Sequence, residues 1–188
     1  MSAWPRSNRV AERVVTAPDE IWVSDLTYIR LHTEFIYLAV VMDVFTRDIR
    51  GWHLSRSLGQ ELTLVALQHA LVHHVPQIHH SDQGIQYAAP AYIQVLRQAG
   101  VAISMAAVGE PRENGFAERL IRTIQEEEVD LSDYRAFAEA LAQIGRFIDD
   151  VYRTKRIHSA LGYLTPAEFE AAWVSQHSDP GEDTLKLV

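Results

Sequence analysis

Cysteine is absent from this 188-residue chain, which excludes a disulfide framework and a thiolate zinc site and suits a reducing compartment. Long hydrophobic runs are missing too. The longest, Phe35 to Met42, falls far short of the roughly 20 residues that cross a bilayer, so a soluble protein with no membrane partner is expected. Lysine is scarce: only Lys155 and Lys186 among 17 basic residues are lysine, and arginine supplies the rest. Arginine is the better residue for bidentate phosphate contact, although a GC-rich coding sequence produces the same skew. Positive charge is also in deficit, with a net charge of −8. A uniformly basic nucleic-acid binder is therefore excluded, and any contact with a polyanion must come from a local patch. No signal peptide is visible in Met1-Ser2-Ala3-Trp4-Pro5-Arg6, and no internal repeat or low-complexity tract interrupts the chain.

What is present is a hydrophobic pattern that changes period along the chain. Residues 1–20 have no sustained period and read as an N-terminal arm. From Ile21 to Arg30 the pattern alternates, with Val23, Asp25, Thr27 and Ile29 on one face, which predicts a strand. The continuous apolar run from Phe35 to Val44 predicts a strand covered on both faces, and Ile49 to Leu54 a third, so the three form an antiparallel meander. Leucines 64, 67 and 71 then predict a helix from Gln60 to His74, stopped by Pro76. The short strand Gln77-Ile78-His79-His80 follows, parallel to an earlier one because a helix carries the crossover. Pro90 opens a helix through Arg97, and Val101 to Ser104 is a fifth strand. A mobile loop is expected from Met105 to Pro111. A helix carrying Glu118 should bury Phe116, Leu120 and Ile124, and a longer one Phe137, Leu141, Ile144, Ile148 and Val151. Thr165-Pro166-Ala167-Glu168 has the makings of a capping box for a last helix to about Val174. The expectation is an α/β core over residues 21–174, a five-stranded mixed sheet flanked by helices, with a disordered tail at 175–188.

Three carboxylates stand out against this pattern. Asp25 interrupts an apolar strand, where an unpaired carboxylate is costly. Asp82 lies just beyond the fourth strand, where open α/β sheets place ligands. Glu118 sits about one turn into its helix. Acids from two strand ends and a helix suit hard divalent cations, in a two-metal arrangement with the ions about 3.5–4 Å apart around an in-line displacement at phosphorus. Each acid alone also reads as a surface carboxylate or a cap. Asp43 reads as a turn acid or a fourth ligand. His73, His74, His79 and His80 are too scattered over helix end and strand for zinc, and His80 reads as a group supporting the acids or touching DNA. Asn114, four residues before Glu118, either orients it or caps the helix. Arg112, Arg119 and Arg122 either bind phosphate or balance Glu126, Glu127 and Glu128. The stretch with Arg153, Lys155 and Arg156 is a basic patch or a solvated loop.

The residues Trp22 to Ile29 with Tyr37 to Asp43, His80 to Tyr87, Gly109 to Arg119, and Arg156 to Tyr163 with Thr165 to Phe169 together resemble the insertion-sequence transposases. The catalytic core of that family is similar to that of retroviral integrases. The resemblance covers about residues 20–172. It implies a ribonuclease H-like fold, three antiparallel strands followed by two parallel ones, and assigns the two aspartates and glutamate of the DDE motif to Asp25, Asp82 and Glu118. It implies cleavage of DNA phosphodiesters and joining of the freed 3′ hydroxyls to target DNA with Mg²⁺ or Mn²⁺, by a homo-oligomer assembled on transposon ends in the bacterial cytoplasm, at the nucleoid. Family members carry Lys or Arg where this chain has Gln125, Asp where it has Glu113 and Asn where it has Arg153. Their Met-Ser-Arg-like stretch is here Met105-Ala106-Ala107. They also carry an end-binding helix-turn-helix region before the core, for which residues 1–20 leave no room, so a catalytic fragment or truncated copy is expected. A catalytically silent remnant serving as a DNA-binding or oligomerisation module, and a purely hydrolytic ribonuclease H-like nuclease, are the competing readings.

Overall fold

The computed structural model describes residues 8–10, 13–107 and 114–178. Strands β1 (Ile21–Arg30), β2 (Phe35–Asp43) and β3 (Ile49–Ser55) are followed by helix α1 (Gln60–Ala70), strand β4 (Ile78–Ser81), helix α2 (Pro90–Gln98) and strand β5 (Ala102–Met105). Helices α3 (Gly115–Ile124), α4 (Phe137–Arg146) and α5 (Pro166–His177) complete the order. The strands form one sheet in the order β3-β2-β1-β4-β5. The first three pair antiparallel, and β4 pairs parallel with both β1 and β5. The meander and the parallel addition are as the sequence predicts.

Alternation along β1 and β2 sends side chains into two cores, one on each side of the sheet. Ile21, Val23 and Ile29 join Ile36, Leu38, Val40 and Met42 in the larger core, under Ala117, Leu120 and Ile124 of α3 and Ile144 of α4. Trp22, Ala39 and Val41 face the other way, onto Leu62 and Ala66 of α1. Each such fully buried aliphatic side chain contributes about 1.5–3 kcal/mol. Helix α1 lies directly against β3 at Gly51, where a Cβ would stand 2.3 Å from the Ala66 carbonyl oxygen. Only glycine admits that approach.

Several expected details differ. The first helix ends at Ala70 rather than His74, because Leu71 to His73 close as turns ahead of Pro76. Phe116 is 48% and Leu141 41% exposed, and Ala117 and Ala140 take their places in the core. Both helices run on into a wider turn, π-helical at Gln125–Val129 and at Phe147–Tyr152. The wide turn advances the buried face, so Tyr152 is fully buried beyond Ile148, while Val151 packs half-buried against the same core. Helix α5 extends three residues past Val174, into the segment expected to be disordered. Its start is the predicted capping box: Glu168 N donates to Thr165 Oγ1, and Thr165 N to the Glu168 carboxylate.

Helix α5 is docked by a buried guanidinium. Arg50, 1% exposed in its side chain, donates from Nη2 to Glu170 at 2.7 Å, from Nη1 to Asp48 at 3.2 Å and from Nε to Asp19 at 3.0 Å. Phe45 packs its ring against Phe169 and Trp173 beside it.

Candidate active site

The parallel register of β1 and β4 builds the site. Ser24 stands opposite Ser81, so the next residues, Asp25 in the middle of β1 and Asp82 just past the carboxyl end of β4, lie side by side. Asp25 points to the larger core's side, the face on which α3 lies. Helix α3 is tied there by Asn114, whose Nδ2 donates to the Ser24 carbonyl oxygen at 3.2 Å. That strap holds the first turn of α3, which carries Glu118, against the middle of β1. The amino end of a helix favours an ionised carboxylate.

The three acids share one electrostatic environment. Burial pushes the Asp25 carboxyl up to about 6; the Leu26 N–H opposes the rise, and the charges of Asp82 and Glu118 add to it. Among the described residues no arginine or lysine forms an ion pair with any of the three. The carboxylates nevertheless do not close on a common point: no three acidic or imidazole groups among the described residues form a ready ligand set. Two of them turn to their own backbone instead. Asp25 Oδ1 accepts from Leu26 N at 2.8 Å, and Asp82 Oδ1 accepts from Gly84 N at 2.9 Å. A Cβ on Gly84 would lie 2.9 Å from that Oδ1, so only glycine leaves the Asp82 carboxylate where it is.

Two further oxygens in the neighbourhood are buried without a hydrogen-bond partner, Asn114 Oδ1 and the Tyr87 hydroxyl. Burial, then Tyr92, then Asp25 and Asp82 raise the Tyr87 pKa far above that of an ordinary tyrosine, so it stays a neutral O–H beside the aspartates. An all-oxygen set of carboxylates with no ion-paired arginine or lysine among the described residues fits a hard divalent ion completed by water or phosphate. Thiolate and imidazole donors are not on offer. His79 Nε2 is held by Ser24 Oγ and the Tyr92 hydroxyl at 2.8 Å each, and burial drives its pKa down to about 3.

The remaining candidates divide. Arg112 lies outside the described residues. His80 has no exposed surface and bonds through Nδ1 to Ser104 Oγ at 2.8 Å; it supports the strand pair β4–β5 and cannot touch DNA from there, which corrects that part of the expectation. Asn114 is buried as well and makes no side-chain cap, so it is a strap between α3 and β1 rather than a DNA contact. Asp43 is the turn acid: Oδ1 accepts from Asp19 N, and Oδ2 from Thr46 N and Oγ1. Arg119 and Arg122 are exposed on α3 and form no ion pair among the described residues. Arg156 takes Glu127 in a two-pronged pair at 2.8 and 2.6 Å. Arg153 reaches Asp48 at 3.5 Å, and Lys155 is exposed. Gln125 Nε2 donates to Thr27 Oγ1 at 2.9 Å, fastening the wide turn after α3 to β1. Tyr87 is a site residue that the sequence does not single out, although its place in Ser81-Asp82-Gln83-Gly84-Ile85-Gln86-Tyr87 is a usable signal.

Family models described as integrase core domain match residues 15–111 and 99–166. The chain is 38% identical over 158 residues to the transposase for insertion sequence element IS904 of Lactococcus lactis, a match covering 82% of this chain and 62% of that relative. It is 34% identical over 189 residues to the transposase for IS629 of Shigella sonnei, covering 98% and 61%. It thus spans about three-fifths of the length of these curated relatives. In three dimensions it is similar to a chain of the simian T-cell lymphotropic virus intasome solved with PP2A regulatory subunit B56 gamma (TM-score 0.70, 17% identity, 96% of this chain and 61% of that one). The HTLV-2 integrase catalytic core domain, solved in complex with magnesium in a trimeric form, is similar at TM-score 0.62 and 15% identity, over 81% of this chain and 97% of that one. At such identities the likeness carries the fold, and the ribonuclease H-like expectation holds.

Proposed function

The chain belongs to the integrase core domain family, and from that premise we propose that it is the catalytic core of an insertion-sequence transposase. It cleaves DNA phosphodiesters at transposon ends and joins the freed 3′ hydroxyls to target DNA. The observation that carries the reading is the pairing of Ser24 with Ser81, which sets Asp25 beside Asp82 with Glu118 in the same field and, among the described residues, no arginine or lysine paired with them. Asp25, Asp82 and Glu118 are the residues that would hold Mg²⁺ or Mn²⁺ as a pair of ions. Bound there, the metal would supply an activated attacking oxygen and stabilise the leaving one.

The chain's own residues have positioning roles. Asn114 sets the height of α3, and with it Glu118, over β1. Gly84 leaves room for the Asp82 carboxylate, and Gln125 anchors the far end of α3 to Thr27. The neutral Tyr87 hydroxyl is a donor available to a neighbouring carboxylate oxygen once that oxygen turns outward. Of the DNA contacts, Arg119, Arg122 and Lys155 are free to meet phosphate, while Arg153 and Arg156 meet it only by sharing or leaving their ion pairs. Assembly as a homo-oligomer on DNA ends, in the bacterial cytoplasm at the nucleoid, belongs to the same proposal; among the described residues no helix is long and apolar enough to cross a membrane.

A second reading has one observation in its favour. The carboxylates do not close as a ligand set among the described residues, as in a silent module that keeps the fold and binds DNA without cutting it. Manganese titration with anomalous scattering separates the two. Mn²⁺ between Asp25 and Asp82, lost in Asp82→Asn with the fold intact by circular dichroism, is the expected result, and failure of Mn²⁺ to bind there at saturation sinks the catalytic reading. Supplied DNA ends then distinguish joined product from hydrolysis alone, which would mark a nuclease.

A further inference from the structure

On the far flank of α3 from Asp25 lies a cavity of about 260 Å³, room for roughly eight waters at about 30 Å³ each. Positions 116, 119, 120 and 123 present one helical face to it. The turn between β2 and β3 contributes Arg47, and the segment after the second wide turn contributes Arg156 and His158. Met42, Leu120 and Ile157 supply apolar wall. Three guanidinium groups thus face one cavity in a protein whose net charge is −8.

Their compensation is uneven. Arg156 already has Glu127. Arg119 has no ion pair among the described residues, and neither has Arg47, whose Nη1 is buried without a hydrogen-bond partner. Burial first, with Arg119 also opposing, lowers the Arg47 pKa; Tyr152 and Asp43 pull the other way. Asp43, however, commits its carboxylate to Asp19 and Thr46. A half-buried guanidinium whose buried Nη1 lacks a partner, beside a second guanidinium, is a costly arrangement that an anion would relieve.

The site is also built to hold that guanidinium still. Arg47 has a φ of 62°, in the left-handed region that side chains rarely adopt. It is kept there by its own N–H donating to the Asp43 carbonyl oxygen at 3.0 Å and by the Tyr152 hydroxyl donating to the Arg47 carbonyl oxygen at 3.0 Å. The guanidinium carbon sits 4.2 Å above the Phe116 ring, a stacking that fixes the plane of the fork. This accounts for Phe116 facing outward where helical spacing would bury it. His158 is uncharged at neutral pH, its pKa brought down to about 4 by burial and by Arg156, Arg47 and Arg119, and offers one donor without adding charge. A neighbouring depression contains Glu118 and Arg122 and shares Arg119, Thr123 and Arg156 with this one. The two depressions therefore adjoin along Arg119, Thr123 and Arg156, the neighbouring one also carrying Glu126 and Glu127.

We propose that this cleft is a binding subsite for a backbone phosphate of DNA, taken by Arg47 and Arg119 while another phosphodiester of the same DNA lies at the three carboxylates. The proposal rests on the reading of this chain as a DNA-processing core, and Arg47 is the residue it adds. The planar forks of two guanidinium groups match the oxygens of a phosphate better than a point charge would.

The test is the salt dependence of binding to a fluorescein-labelled duplex of arbitrary sequence, using the full chain without divalent metal so that no cleavage intervenes. Removing one side chain that neutralises a phosphate should flatten the plot of log K against log salt by about 0.9. Arg47→Gln and Arg119→Gln are each expected to flatten it by about that much, whereas Arg97→Gln, on the exposed face of α2, leaves it unchanged. Because Arg119 is exposed, its variant still decides the matter should Arg47→Gln unfold. Slopes equal to the wild-type slope in both variants overturn the subsite. Inorganic phosphate that binds by ³¹P line broadening and no longer binds in Arg47→Gln, with the DNA slopes unmoved, overturns it in favour of a free-phosphate site. A wild-type chain with no salt-dependent DNA binding overturns it as well. Failure of the catalytic reading registers separately, as Mn²⁺ that does not bind at Asp25 and Asp82.

Discussion

The molecule holds two acidic clusters at two places on the same sheet, and they are solved in opposite ways. Around Arg50 gather Asp19, Asp48 and Glu170, with Asp43 close by. Burial works against the Arg50 charge, but its hydrogen bond to Glu170 and the charges of Asp19 and Glu170 outweigh that and hold its pKa above the usual value. At the other cluster Asp25, Asp82 and Glu118 face one another with no cation of the chain between them among the described residues. Acids that serve the fold bring their counter-ion with them. The acids left without one among the described residues are those proposed above to take a cation from outside.

The largest expected effect comes from breaking the first cluster. Arg50→Met should lower stability by about 3–5 kcal/mol, because it strands Asp48 and Glu170 in partly buried positions and undocks α5. Urea denaturation measures it, and a loss below about 1 kcal/mol would mean the network relaxes freely and the contrast between the clusters is false.

At the second cluster, Asp25→Asn should leave stability at pH 7 unchanged or raise it. Folding favours the protonated Asp25, because its pKa of about 6 in the native state lies above the 3.8 of the free side chain. The associated stability is fully present below about pH 4 and is lost as pH rises through 6, on the order of 3 kcal/mol. Metal-free wild-type protein should show that decline and Asp25→Asn should not. Saturating Mn²⁺ should restore the lost stability at pH 7 in wild type alone. A variant whose decline matches wild type would show that Asp25 is not the group responsible.

The smallest effect separates geometry from charge. Gly84→Ala crowds Asp82 Oδ1 without changing any charge, so it should weaken Mn²⁺ binding about 10-fold or more, as altered support of a ligand does. Its effect on stability should stay near 1 kcal/mol. Calorimetric titration reads the first and thermal melting the second; equal Mn²⁺ affinity would mean the carboxylate swings clear of the new methyl group.

The elements were readable because their signals are local. Alternation in Ile21 to Arg30, the apolar run from Phe35 and the capping box at Thr165 are written in neighbouring residues. Misreadings came where a distant partner intervened. Phe116 fits a buried stripe by spacing, but the Arg47 guanidinium stacks on it from another turn. Leu141 fits the next stripe by spacing, but it stands 41% exposed while Ala140 is buried. Asn114 could be read only as a cap or a support for Glu118, since nothing near it in the chain announces the Ser24 carbonyl 90 residues away. Similarly, His80 sits in a motif with Asp82, yet strand alternation turns it inward to Ser104.

By itself, then, the sequence determined the order of strands and helices, the absence of thiol chemistry, and three acids in positions that suit a hard metal. Those follow from residue type and spacing, which act over a few residues. Only the tertiary structure decided which acids stand together, which carry a counter-ion and which arginines keep idle donors. Register between β1 and β4, the Asn114 strap and the burial of Arg50 arise from contacts between segments far apart in the chain. The cost of an unpaired charge depends on those contacts, because it is set by what surrounds the group and not by the group itself.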